Sequence, residues 1–293
     1  MRPGVVAPGL AFANRAALPP MNRAAPAPDA PAVETSALTR RFGELTAVDR
    51  LDLRVARGEI FGLLGANGAG KSTLMKMLTT LLRPTSGSAV VAGFDIVRAP
   101  ADVRRHIGYV PQLLSADGAL TGYENLRLSA KLYALPTAER TVRIADALAF
   151  MGLADAAHKL VRTYSGGMVR RLELAQAMLH RPGILFLDEP TIGLDPVARH
   201  SVWDRLRDLK REHHMTVLIT THDMEEAEAL CDRIAILHAG RIAVVGRPDE
   251  LRRALGPEAT MDEVFAHYAG GEIRGGGDFA GAVQARKTAR RLG

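Results

Sequence analysis

Cysteine is almost missing from this sequence: Cys231 is the single one in 293 residues. An internal disulfide is therefore excluded, and a reducing compartment is indicated. Long apolar runs are missing too. None reaches the roughly 18–20 uncharged residues of a spanning helix, so the chain is not expected to cross a bilayer by itself. A concentrated basic patch is also absent. The formal charge is +6, yet residues 1–34 carry +1, residues 271–293 carry +3, and the long middle only +2. A basic tail attracts any polyanion, an anionic membrane surface included, but it does not recognise nucleic acid, and no nucleic-acid partner is expected. What remains is an ordinary globular composition, 47% hydrophobic and 24% charged, long enough for one large domain or two small ones. No internal repeat is visible.

Residues 1–33 hold seven prolines and ten alanines, too little to bury a core, and read as disordered. The apolar stretch after Arg2 is short and broken by Gly4, Pro8 and Gly9, which argues against a secretory signal, and Met21 offers an alternative start. From Val33 the texture changes. Glu59 to Leu64 reads as a buried strand entering glycines, and Ser72 to Leu82 as a helix. Ser88–Ala92 and Ile107–Val110 read as short strands. Thr121 with Glu124 forms a capping box that opens a helix. Ala138–Met151 and Met168–Leu179 read as two more. Strands return at Ile184–Leu187, Thr216–Thr220 and Ile234–Leu237. The alternation predicts an α/β layered fold with a helical subdomain inserted at about 113–164. The core domain is expected over residues 34–246, followed by a short extension, 247–270, and a flexible basic tail, 271–293.

Three motifs carry chemistry. Gly65-Ala-Asn67-Gly68-Ala-Gly70-Lys71-Ser72 follows a strand and opens a helix. Glycines let backbone N–H groups close around a β-phosphate at the helix N-terminus; Lys71 reaches the β- and γ-phosphates, and Ser72 offers its hydroxyl to Mg²⁺. Ile184-Leu-Phe-Leu-Asp188-Glu189 is a buried strand ending in two acids, at the sheet edge where open α/β folds bind ligands. Asp188 suits a Mg²⁺ ion or its waters, and Glu189 suits proton abstraction from an attacking water. Tyr164-Ser165-Gly166-Gly167-Met168 makes a second capped, side-chain-poor helix entrance, hence a second anion site.

Two phosphate sites in one chain suggest that the second serves a neighbour's nucleotide. At this point the sequence resembles the ATP-binding subunits of ABC transporters. Walker A is Gly65–Ser72, the Q-loop Tyr109–Gln112, the signature Tyr164–Met168, Walker B Ile184–Glu189, the D-loop Gly193–Pro196, and the switch histidine stands in Thr220-Thr-His222-Asp. The resemblance spans roughly residues 34–246 and implies a P-loop, RecA-like nucleotide-binding core with an antiparallel β subdomain and an inserted helical subdomain, with ATP and Mg²⁺ as ligands. It implies that Gly65, Asn67, Gly68, Gly70, Lys71, Ser72 and Thr73 hold the phosphates. Ser72, Asp188 and Gln112 would serve Mg²⁺, and Glu189, His222 and Gln112 catalysis. Ser165, Gly166 and Gly167 would hold the partner subunit's γ-phosphate, and Asp195 would communicate across a dimer. Phe42 stands where the family places the ring that stacks on adenine. The implied partners are a second copy of the chain and a separate transmembrane permease, the implied place the cytoplasmic face of the cell membrane.

Met168 replaces the usual signature glutamine, which the Ser165 and backbone contacts do not need. With Arg170-Arg171-Leu172 and Thr260-Met-Asp-Glu-Val-Phe265, it resembles the exporter branch of daunorubicin-resistance and nodulation-factor ATPases. Two alternatives weigh less. A DNA-repair or ribosome-acting ATPase of the family usually has two units or long coiled coils, and a non-hydrolysing subunit would lack some of Lys71, Asp188, Glu189 and His222. An apolar cluster at Leu113, Leu114, Leu120 and Tyr123 is expected to receive the membrane chain. Nothing in the sequence reports the transported molecule.

Overall fold

A computed structural model describes residues 30–269. The chain opens with a hairpin, β1 (Val33–Phe42) and β2 (Leu45–Val55), then enters β3 (Ile60–Gly65) and α1 (Lys71–Leu78). Next come β4 (Ser86–Val91), β5 (Phe94–Asp95), α2 (Pro100–His106) and β6 (Ile107–Val110). A helical run follows, α3 (Gly122–Leu132), α4 (Thr137–Phe150) and α5 (Gly166–Met178). After it the chain alternates: β7 (Ile184–Asp188), α6 (Pro196–His213), β8 (Thr216–Thr221), α7 (Met224–Leu230) and β9 (Arg233–His238). It closes with β10 (Arg241–Gly246), α8 (Pro248–Leu255) and α9 (Met261–Tyr268).

Two sheets result. The larger has the order β10-β9-β3-β8-β7-β6, parallel except for β10; the smaller, β2-β1-β4-β5, is antiparallel. Strands β3, β7 and β8 are buried along their whole length, as continuous apolar strands of a doubly covered parallel sheet should be. Successive side chains of a strand point to opposite faces, and the core divides accordingly. Leu185, Leu187, Val217, Ile219, Ile234 and Ile236 face one way, onto the cluster holding α3 to α6. Ile184, Phe186, Leu218, Ala235 and Leu237 face the other, onto α1 and the antiparallel sheet. The α/β class with an antiparallel subdomain and a helical insertion is thus observed. Among the described residues no helix is long and apolar enough to cross a membrane.

The structure moves several boundaries. Helix α1 stops at Leu78, four residues before the expected Leu82. Thr79 Oγ1 turns back to donate to the Met75 carbonyl at 2.8 Å, and Thr80 adopts a φ of 64°, which an α-helix cannot contain. Helix α5 starts two residues earlier than expected, because Ser165 caps it and Gly166 is already helical. The expected boundary at 33/34 cuts into β1, whose Val33 is fully buried, as is Ala32 before it. The Pro/Ala-rich stretch up to 29 and the basic tail, 271–293, lie outside the described residues.

The segment after Gly246 belongs to the core. Thr260 opens α9 with a full capping box, and Met261, Val264 and Phe265 are buried in the same cluster as the parallel sheet. Replacing a buried Phe by Ala costs its transfer energy plus a cavity. Phe265→Ala is therefore expected to lower stability by about 3 kcal/mol and the thermal midpoint by about 6–12 °C. Calorimetry checks this, and an unchanged midpoint would show α9 to be dispensable.

Candidate functional site

Strands β3, β7 and β8 end side by side, and the predicted chemistry collects at their C-terminal edge. The loop leaving β3 doubles back tightly: Ala69 N–H donates to the Ala66 carbonyl at 3.1 Å, and Gly240 N–H to the Ala69 carbonyl at 3.1 Å. Gly70 has a φ of 106°, and a Cβ there would lie 2.4 Å from the Ala47 carbonyl oxygen of β2. Only glycine fits. Helix α1, which begins at Lys71, receives no side-chain cap, so its first N–H groups are left to an external anion. Asn67 and Gly68 are exposed on the loop; Ser72 and Thr73 are half-buried on the first turn.

Glu189 is the hub. Its Oε1 lies 3.7 Å from Lys71 Nζ and 3.3 Å from His222 Nδ1, and its Oε2 accepts from Gln112 Nε2 at 3.3 Å. Three residues from three other segments meet at one carboxylate. Lys71 Nζ also donates to the Gly65 and Ala66 carbonyls, at 2.7 and 3.2 Å. Burial pulls this ammonium below its ordinary value, against the pull of Glu189 and Asp188. Glu189 itself sits at φ 48°, a left-handed conformation costing a non-glycine residue about 1–2 kcal/mol. Thr220 holds it there, its carbonyl accepting from Glu189 N–H at 3.1 Å and its Oγ1 at 3.0 Å. Thr220 Oγ1 also donates to Asp188 Oδ1 at 2.5 Å, and Ser72 Oγ donates to the same oxygen at 3.3 Å. A buried carboxylate beside a serine hydroxyl is a hard-oxygen donor set, suited to Mg²⁺ completed by phosphates and water. Tyr109, half-buried near Asp188, has its phenol pushed up to about 12, first by burial and then by that charge.

The remaining predicted residues lie elsewhere. Phe42 ends β1 and is 45% exposed, with the Arg40 guanidinium 4.5 Å over its ring. It is no core residue, and its hairpin abuts the phosphate loop through Ala47. Ser165 and Gly166 are exposed; Ser165 Oγ accepts from Met168 N–H at 3.3 Å, while the Met168 side chain packs inward. A Cβ on Gly167 would come 2.7 Å from Ala198 Cβ, so this turn is seated on the start of α6. Asp195 caps α6, accepting from Ala198 N–H at 2.9 Å. Of the expected apolar cluster, Leu113 and Leu114 are exposed, whereas Leu120 and Tyr123 are partly buried, Tyr123 against the core.

With this geometry in hand, comparison with known proteins is informative. Residues 48–192 match the ABC transporter family, and residues 157–228 also match a family described as AAA domain, putative AbiEii toxin, Type IV TA system. The daunorubicin/doxorubicin resistance ATP-binding protein DrrA of Streptomyces peucetius is 47% identical over 225 residues, 77% of this chain and 68% of that one. The Nod factor export ATP-binding protein I of Cupriavidus metallidurans is 43% identical over 210 residues, 72% of this chain and 69% of that one. A dimeric, post-hydrolysis structure of the ATP-binding cassette MJ0796, bound to ADP and Pi, superposes with a TM-score of 0.66. It is 27% identical and covers 73% of this chain and 98% of its own.

Sequence reasoning missed a second, supporting layer. Glu226 of α7 is buried and accepts from Thr191 Oγ1 at 2.7 Å and from Trp203 Nε1 at 3.0 Å. It thereby ties the helix after His222 to the segment after Glu189. Arg199 repeats the tie from outside, donating to Asp223 at 2.7 Å. The Glu-Glu pair at the start of α7 reads in sequence only as helix-dipole charge; nothing local marks the second as buried. Burial raises the Glu226 carboxyl above its ordinary 4.5, outweighing its donors. A carboxyl so raised costs stability once ionised, so the cost is absent in acid and grows as pH climbs past the unfolded value. Glu226→Gln keeps an acceptor oxygen and removes the charge. Its thermal midpoint relative to wild type is expected to be more favourable at pH 8 than at pH 5. A pH-independent difference would overturn this assignment.

Proposed function

The chain belongs to the ABC transporter ATP-binding proteins, and from that premise we propose how its residues divide the work of ATP hydrolysis and what the hydrolysis drives. As a P-loop ATPase of the exporter type, the chain binds ATP and hydrolyses it for a membrane partner. The observation that carries the assignment of roles is the convergence of Lys71, Gln112 and His222 on the Glu189 carboxylate.

The N–H groups of the 65–70 loop and the uncapped start of α1 bind the β- and γ-phosphates, with Asn67, Gly68 and Thr73 at the rim. Lys71 Nζ, already at the mouth of the loop, adds a positive charge. A γ-phosphate competes with Glu189 for that ammonium and so releases the carboxylate to act as base. Glu189 takes the proton from the attacking water, while Gln112 and His222, each 3.3 Å from one of its oxygens, orient it. Ser72, Asp188 and Gln112 would hold Mg²⁺, which when bound offsets charge on the phosphates. Phe42, exposed on its hairpin, stacks on adenine.

Ser165, Gly166 and Gly167 serve the γ-phosphate of a second copy, with Asp195 beneath them at the start of α6. Two copies close on two ATP molecules and part after hydrolysis. The work is delivered to a separate transmembrane permease at the cytoplasmic face of the membrane, whose cargo is a drug-like, lipid or glycan molecule. The permease docks on the protruding Leu113 and Leu114, 82% and 60% exposed.

Glu189→Gln is expected to retain ATP binding, to slow hydrolysis by ~10²–10⁴, and to accumulate as an ATP-bound dimer on size exclusion. Wild-type turnover in that variant would refute the base assignment. For docking, cysteines at Leu113 and Leu114 are expected to crosslink to the permease, with no background from Cys231, which is buried. Crosslinks confined to the β1–β2 hairpin would place the permease elsewhere.

A further inference from the structure

Arg170 and Glu173 stand one turn apart on α5, and both side chains are almost wholly buried, 3% and 1% exposed. In a sequence such a pair reads as a solvated i,i+3 contact. Here Arg170 Nη1 bonds Glu173 Oε2 at 2.9 Å, and the remaining capacity of both groups is spent on one loop. Arg170 Nη1 donates to the Pro111 carbonyl at 2.9 Å, and Nη2 to the Gln112 carbonyl at 3.0 Å. Glu173 Oε1 accepts from Ser115 N–H and from Ser115 Oγ, the latter at 3.1 Å. The pair therefore grips the backbone on both sides of Leu113 and Leu114, which protrude between the grips. A polar cavity of about 160 Å³, lined by Ser115, Ser129, Glu173 and Gln176 among others, lies behind it and gives the loop room to shift.

We infer that Arg170 and Glu173 are positioning residues that fasten the Gln112 loop to the helix opened by Ser165, so that the two move as one piece. Three facts carry this. Gln112 reaches the Glu189 carboxylate from the gripped loop. Ser165 lies five residues before Arg170, about 7.5 Å along a helix axis. And a buried ion pair is a poor stabiliser, since hydrophobic residues of similar size often do as well or better. A force on Leu113–Leu114 is then felt at Gln112 and at Ser165 together. The inference rests on the reading of Glu189 and Ser165 given above.

The test uses the full chain, with the double variant Arg170→Met/Glu173→Leu and the isosteric Glu173→Gln. The double variant is expected to keep its thermal midpoint within a few degrees, because packing replaces the charges. Its KM for ATP should change less than about 3-fold while kcat falls about 10-fold or more, the pattern of a lost transition-state arrangement. Amide hydrogen exchange at Ser115 should rise about 10-fold or more while the amides of α5 stay protected. Glu173→Gln should give the same split in weaker form, and it decides the matter if the double variant does not fold. Wild-type kcat with Ser115 still protected would overturn the proposal, as would a kcat that falls only in step with the thermal midpoint. Exchange at Ser115 is read without hydrolysis. A failure of the Glu189 assignment, seen as undiminished turnover in Glu189→Gln, is therefore distinguishable from failure of the grip.

Discussion

Everything in this fold answers to one electrostatic constraint: an ammonium and two carboxylates held at a sheet edge from which water is nearly excluded. Lys71, Asp188 and Glu189 are all buried, and each buried ion costs several kcal/mol of desolvation. Removing any one leaves the others uncompensated, so the three have to be positioned together. The parallel sheet does this. Strand β7 delivers the carboxylates, β3 leads into the lysine's loop, and β8 between them delivers Thr220, whose hydroxyl and carbonyl meet both acidic residues.

The arrangement also explains why so much of the molecule is scaffold. The two faces of the sheet carry separate cores, one under the helical segment and one under the antiparallel sheet. The loops that carry chemistry are tied to both. Gly70 abuts the β1–β2 hairpin through Ala47, Gln112 is fastened to α5, and the segment after Glu189 is bound to α7 by Glu226. A ligand that moves Lys71 away from Glu189 would change the balance at Gln112 and His222 at once, since all three address the same two oxygens.

The central strands were legible in the sequence because β7 is an unbroken apolar run between glycine and acid, β3 an apolar run entering glycines, and β8 a Val-Leu-Ile run framed by threonines, and Thr121 with Glu124 marked α3 by its cap alone. The phosphate loop and the Asp188-Glu189 pair could be found by spacing, since their chemistry is local. What could not be read was anything set by long-range packing. The end of α1 depended on the Thr79 hydroxyl competing with the helix and on the left-handed backbone of Thr80, and the burial of Arg170, Glu173 and Glu226 depends on which neighbours cover them. The short C-terminal helix looked like an extension because it is one in sequence; its three buried residues make it part of the core. The apolar residues at 113–123 divide for the same reason, with Leu113 and Leu114 in solvent and Tyr123 against the core.

The left-handed backbone of Glu189 has an evolutionary corollary. At φ 48° glycine is the residue most at ease. The same replacement would leave the buried Lys71 ammonium short of a partner, so a relief of backbone strain of about 1–2 kcal/mol is set against a larger electrostatic loss. Drift is therefore held back at this codon by the buried ammonium next door, and a glutamate persists in a seat shaped for glycine because its neighbour needs the charge.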